Sequence, residues 1–127
     1  MNKTSRKNTI LSAYFFNQKM GILDKLFGNN PSAALENALA KGAYLVDVRG
    51  PGEFAGGSVK GAVNYPLDTL FQHLSELEGK ENIVVFCRSG ARSAQAKALL
   101  ERQGHTSVVN GGAWQDVASS LEKISKA

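Results

Sequence analysis

Short apolar runs separated by stretches of helical periodicity constrain this chain more than any other feature. Tyr44-Leu45-Val46-Asp47-Val48, Asn82-Ile83-Val84-Val85-Phe86 and Ser107-Val108-Val109 have the pattern of strands covered on both faces. Ala62-Val63-Asn64-Tyr65 is a further candidate strand, closed by Pro66. Ser32 is placed to cap a helix through Ala33, Leu35, Ala38 and Leu39 that Gly42 ends. Arg49 to Phe54 reads as a turn entering a brief helix. Leu67, Leu70, Phe71, Leu74 and Leu77 predict one amphipathic helix. Another runs from Ser93 through Ala94, Ala98, Leu99 and Leu100 to a Gly104 stop. Asn110-Gly111-Gly112 reads as a turn into a last helix containing Trp114, Val117, Leu121 and Ile124. Strands joined by helical crossovers predict an α/β fold of three layers, a parallel sheet with helices on both faces.

With 127 residues, 43% of them apolar, the chain suits one compact domain that needs no disulfide or structural metal. Its single cysteine rules out a disulfide framework, a CxxC redox pair and a cysteine-clustered zinc site. The net charge of +4 looks at first like a nucleic-acid signal. However, residues 1–30 hold Lys3, Arg6, Lys7, Lys19 and Lys25 against Asp24 alone, while ten basic and ten acidic residues balance over 31–127. The excess belongs to the N-terminal segment, and no nucleic-acid partner is expected for the neutral remainder.

That segment contains no run of apolar residues long enough for a transmembrane span. Its basic start precedes the short apolar run Ile10 to Phe16, but Asn17, Gln18 and Lys19 interrupt it and no small-residue cleavage site follows. Ile22, Leu23, Leu26 and Phe27 then fall on one helical face before Gly28 and Pro31. They suit a short helix packed on the domain, or an amphipathic segment that docks on a membrane surface or a partner. Met20 is a second candidate start. A cytoplasmic location is the expectation, with a cleaved N-terminal signal or peripheral membrane contact as the alternatives.

In an open α/β sheet, function concentrates where strands end and helices begin. The only cysteine, Cys87, sits at such a point. It is followed by Arg88, Ser89, Gly90, Ala91 and Arg92, with Ser93 opening a helix. A tight loop at a helix N-terminus turns several backbone N–H groups inward, and two arginines add positive charge. Both influences favour a thiolate at neutral pH and would hold an anion beside the sulfur. A buried structural cysteine would instead be expected between apolar neighbours on both sides.

The segments Leu45-Val46-Asp47-Val48-Arg49, Glu53-Phe54, Gly61-Ala62-Val63-Asn64, Cys87 to Ser93 and Gly111-Gly112-Ala113-Trp114 resemble the rhodanese family of sulfurtransferases. They occur in that family's order and spacing across residues 31–127, behind a basic extension of residues 1–30. The resemblance implies a parallel five-stranded sheet flanked by helices. It implies that Cys87 accepts sulfane sulfur as a persulfide, and that the loop from Arg88 to Arg92 cradles it, with Arg92 facing an anionic donor such as thiosulfate. Asp47 and Arg49 match a pair with a mainly structural role around the site, and Trp114 packs the last helix. The family often has histidine where this chain has Ser58, a departure that bears on loop packing.

The chemistry so implied needs no cofactor and no metal. The Cys87 thiolate attacks the outer sulfur of thiosulfate, sulfite leaves, and cyanide or a thiol then removes the sulfur. A persulfide carrier that docks a partner and delivers to a protein acceptor is an alternative. A phosphatase or arsenate reductase also uses a cysteine-to-arginine anion loop, but generally with the arginine one residue further on, where this chain has Ser93. No second cysteine is present for oxidative recycling. His73 and His105 lack a partner at metal-ligand spacing and are expected at the surface and in a turn.

Overall fold

The computed structural model describes residues 31–126. The N-terminal extension expected over residues 1–30, with its amphipathic segment and Met20, lies outside them. Helix α1 (Pro31–Ala40) leads to strand β1 (Tyr44–Asp47), helix α2 (Pro51–Ala55) and the short strand β2 (Val63–Asn64). A 3-10 helix (Leu67–His73) continues into α3 (Leu74–Leu77). Strand β3 (Ile83–Cys87), helix α4 (Ala91–Arg102), strand β4 (Val108–Ala113) and helix α5 (Trp114–Ser125) complete the order. The strands lie side by side as β2-β1-β3-β4, every pair parallel. Four strands are found among the described residues where the family resemblance implies five.

All five residues of β3 are buried, which explains its unbroken apolar run. Alternation along the strand divides the core into two layers. Ile83, Val85 and Cys87 pack with Val46, Val48, Leu70, Leu77, Ala96 and Leu100, so one face is covered by the 3-10 helix, α3 and α4. Val84 and Phe86 pack with Leu35, Ala38, Leu39 and Val117, so the other is covered by α1 and α5. Cys87 therefore points toward α4.

Three local readings change. Helix α1 starts at Pro31, which puts Ser32 inside its first turn, not before it. The helix expected over Leu67–Leu77 is 3-10 in its first part. Side chains repeat every three residues there, so Leu67 and Leu70 share a face while Phe71 turns out and is 62% exposed. Asn110-Gly111-Gly112 is no turn. It continues β4 as a bulge: Asn110 lies opposite Val85, Gly112 opposite Phe86, and Gly111 is the extra residue. Gly111 also admits α5 to the sheet, because a methyl group added there would lie 2.6 Å from Val117 Cγ2.

Candidate active site at the end of strand β3

Cys87 is the last residue of β3, and Gly90 is the hinge between strand and helix. Its φ of +101° is a conformation that side-chain-bearing residues rarely adopt, and it turns the Gly90 N–H onto the sulfur at 3.0 Å. Helix α4 begins at Ala91, two residues earlier than its apolar pattern suggests. Ala91 and Arg92 thus belong to its first turn, where backbone N–H groups lack helical partners. Ser93 is buried beneath, its Oγ 3.4 Å from Cys87 Sγ.

Two opposing influences act on the thiol. Burial pushes it up, while hydrogen bonds from the Ser93 side chain and from the backbone of Ser93, Ser89 and Gly90 bring it down, with a net result of about 7. The leading favourable influences are hydrogen bonds and not the two arginine charges. Arg88 and Ser89 are exposed. Arg92 lies close enough to the sulfur for the two to attract electrostatically, but its guanidinium is held by Glu53, Nη1 to Oε1 at 2.7 Å and Nη2 to Oε2 at 3.0 Å.

Asp47 and Arg49 form a buried pair behind the loop. The Asp47 carboxylate accepts from Arg49 N at 2.9 Å, from Nε at 3.0 Å and from Nη2 at 2.7 Å, and from Ser58 Oγ at 2.6 Å. Nη2 also donates to Gly57 O at 2.6 Å, and the guanidinium carbon lies 5.1 Å from the centre of the Trp114 ring. Asn64 donates to the carbonyls of Asp47 and Arg49, at 2.9 Å each. The pair thereby joins the end of β1, the loop between α2 and β2, and β2 itself to the start of α5, and Ser58 takes part in that junction.

Two residues given no role from the sequence complete the surroundings. Asn110 Oδ1 accepts from Ser93 Oγ at 2.6 Å and from Gly112 N at 2.9 Å, while its Nδ2 donates to Gly90 O at 3.1 Å. This side chain braces the loop from the β4 bulge. Glu53 is the other, and its pairing with Arg92 spans 39 residues of sequence. Only the turn-like setting of Asn110 and the motif position of Glu53 marked them.

His73 stacks on Tyr65, ring centres 4.1 Å apart, and its Nδ1 lies 2.8 Å from Glu76 Oε2, so it is more engaged than a simple surface histidine. His105 follows the α4 stop. Among the described residues no group of three His, Cys, Asp or Glu could hold a metal ion, and no helix is long and apolar enough to cross a membrane.

Cys87 thus stands at the end of a strand of a parallel α/β sheet, with hydrogen-bond donors from the start of the following helix around its sulfur. The sequence profile of the rhodanese-like domain matches residues 32–118, and the chain belongs to that family. A sulfurtransferase of Allochromatium vinosum is 40% identical over 81 residues, which cover 62% of this chain and 76% of that protein. The thiosulfate sulfurtransferase PspE of Escherichia coli is 35% identical over 77 residues, 59% of this chain and 74% of its own. Among solved structures, a rhodanese with anions from E. coli superposes with a TM-score of 0.55 at 33% identity, covering 60% of this chain and 92% of that one.

Proposed function

We propose that this chain is a sulfurtransferase that moves sulfane sulfur from thiosulfate through a Cys87 persulfide to cyanide or another thiophilic acceptor. The carrying observation is the Gly90 N–H at 3.0 Å from Sγ, in a setting that brings the thiol to about 7, so a large share is thiolate at neutral pH. Similarity to the E. coli thiosulfate sulfurtransferase supports the choice of donor. Cys87 is 1% exposed, which favours a slender donor that reaches the sulfur with a terminal atom.

The thiolate of Cys87 attacks the outer sulfur of thiosulfate. A new S–S bond forms, the old one breaks, and sulfite departs with the electron pair as a stable anion, so no general acid is required. The backbone of Ser89, Gly90 and Ser93 then surrounds the terminal sulfur with donors, with Arg88, Ala91 and Arg92 forming the rest of the loop. Cyanide attacks that sulfur, leaves as thiocyanate, and returns Cys87 to the thiolate. Asp47 and Arg49 hold the neighbouring loops in place. A cytoplasmic location belongs to the same proposal, since a thiol that must stay reactive is best kept in a reducing compartment.

Incubation with thiosulfate, followed by intact mass spectrometry, tests the reading. The protein should gain one sulfur atom, lose it to cyanide, and gain none as Cys87→Ser. No gain in the wild type, together with hydrolysis of an aryl phosphate, would sink it. Transfer to a protein thiol far faster than to cyanide would instead favour a dedicated carrier.

A further inference from the structure

Arg92 is the loop cation nearest the helix start, and it is already engaged. Both of its terminal nitrogens meet both oxygens of Glu53, a fork-to-fork geometry that a tetrahedral oxyanion would also seek. Glu53 is itself fixed, because Oε1 accepts the Gly50 N–H at 3.1 Å across the first turn of α2. The Arg92 hydrogen bonds hold its carboxyl down to about 2, so it stays ionised wherever Cys87 reacts.

Both residues line a cleft of about 520 Å³ together with Asp68, Gln95, Pro66 and Leu67, while Ser89 and Gly90 of the loop face a separate cleft. Arg92 is the cation among the residues lining that cleft, against two carboxylates. Arg92 attracts the Cys87 sulfur electrostatically, so a doubly charged donor that uses Arg92 at the sulfur must either take it from Glu53 or share it, which places like charges side by side. A neutral or singly charged molecule meets a smaller obstacle.

We propose that Glu53 is a specificity-determining residue, one that competes with an incoming anion for Arg92 and so selects against highly charged reactants at Cys87. The inference rests on the reading of Cys87 as the reacting atom and narrows its donors. Thiosulfate is accepted but weakly held, and sulfane donors of lower charge are favoured.

Alkylation of Cys87 separates this selection from sulfur transfer. In iodoacetamide and in iodoacetate the thiolate displaces iodide, an S–C bond forms, and iodide leaves with the pair from the C–I bond. The two reagents differ chiefly in charge, so the ratio of their rates cancels any change in the thiolate fraction. Arg88 contributes equally before and after substitution. Glu53→Gln should raise the iodoacetate-to-iodoacetamide ratio roughly three- to tenfold at low ionic strength, and less at high salt. The KM for thiosulfate should fall by a similar factor. Glu53→Ala should act in the same direction, and a thermal melt of each variant checks that it is folded. An unchanged or lower ratio in a folded variant overturns the inference. A raised ratio in a protein that never gains sulfur from thiosulfate supports the charge selection and removes the sulfurtransferase reading.

Discussion

The Ser93 hydroxyl lies 3.4 Å from the Cys87 sulfur and 2.6 Å from Asn110 Oδ1, and it has one proton to give. In the thiol state the shorter contact to Asn110 takes that proton, and the sulfur can donate to Ser93 in return. In the thiolate state the sulfur has no proton, and stabilisation by Ser93 requires its hydroxyl to turn. Asn110 tolerates the loss, since Oδ1 keeps the Gly112 N–H at 2.9 Å.

Ser93→Ala should therefore weaken thiolate formation while the amide donors remain. One hydrogen bond to a charged acceptor corresponds to about one pKa unit, so the midpoint should move from about 7 toward roughly 8. The sign follows from the chemistry. Thiolate, the reacting form, accumulates as pH rises through the midpoint, so a higher midpoint lowers reactivity most on the acid side and little at high pH. Iodoacetamide alkylation measured across pH gives the midpoint directly. A downward shift would show that Ser93 mainly stabilises the thiol.

What was legible in the sequence follows from how local each signal is. The run Ile83–Phe86 announces a doubly covered strand by itself, and the loop from Cys87 to Ser93 is one contiguous segment. The bulge was hidden because Asn-Gly-Gly is also a turn signal, and only pairing with β3 shows that Gly111 is an inserted residue. The 3-10 helix was hidden because the Leu67-to-Leu70 step of three residues fits both helical periods, while the exposure of Phe71 separates them. Glu53 and Arg92 are each ordinary surface residues until the fold brings them together. Charges meeting across 39 positions leave no periodic trace.

The bulge has a steric consequence at Gly111. A methyl group there would lie 2.6 Å from Val117 Cγ2 and 3.1 Å from Val84 Cγ1, both in the buried layer beneath α5. Gly111→Ala should cost roughly 1–3 kcal/mol through overpacking, seen as a lower denaturant midpoint with an unchanged slope. Gly52→Ala is the comparison, since nothing lies within 4 Å of the added carbon, and its effect should be much smaller. Adding Val117→Ala to Gly111→Ala should relieve part of the crowding. Equal effects at Gly111 and Gly52 would mean that α5 shifts freely, contrary to the packing described.

The Asp47–Arg49 pair makes the sharpest demand on stability. Asp47 is fully buried and Arg49 is 5% exposed, so each ion has exchanged most of its water for the other and for neighbouring polar groups. Arg49→Met removes the guanidinium and leaves the carboxylate with the Arg49-position N–H and Ser58 Oγ alone. A buried charge stripped of its ionic partner costs about 3–5 kcal/mol, and the contacts to Gly57 O and Trp114 disappear as well. Replacing both residues, as Asp47→Leu with Arg49→Met, should be less damaging than the sum of the two single changes, because no uncompensated ion remains. Denaturant unfolding of the two single variants and the double variant measures that coupling. A loss below about 1 kcal/mol for Arg49→Met would show that water reaches Asp47 and that the loops around Cys87 are secured by other contacts.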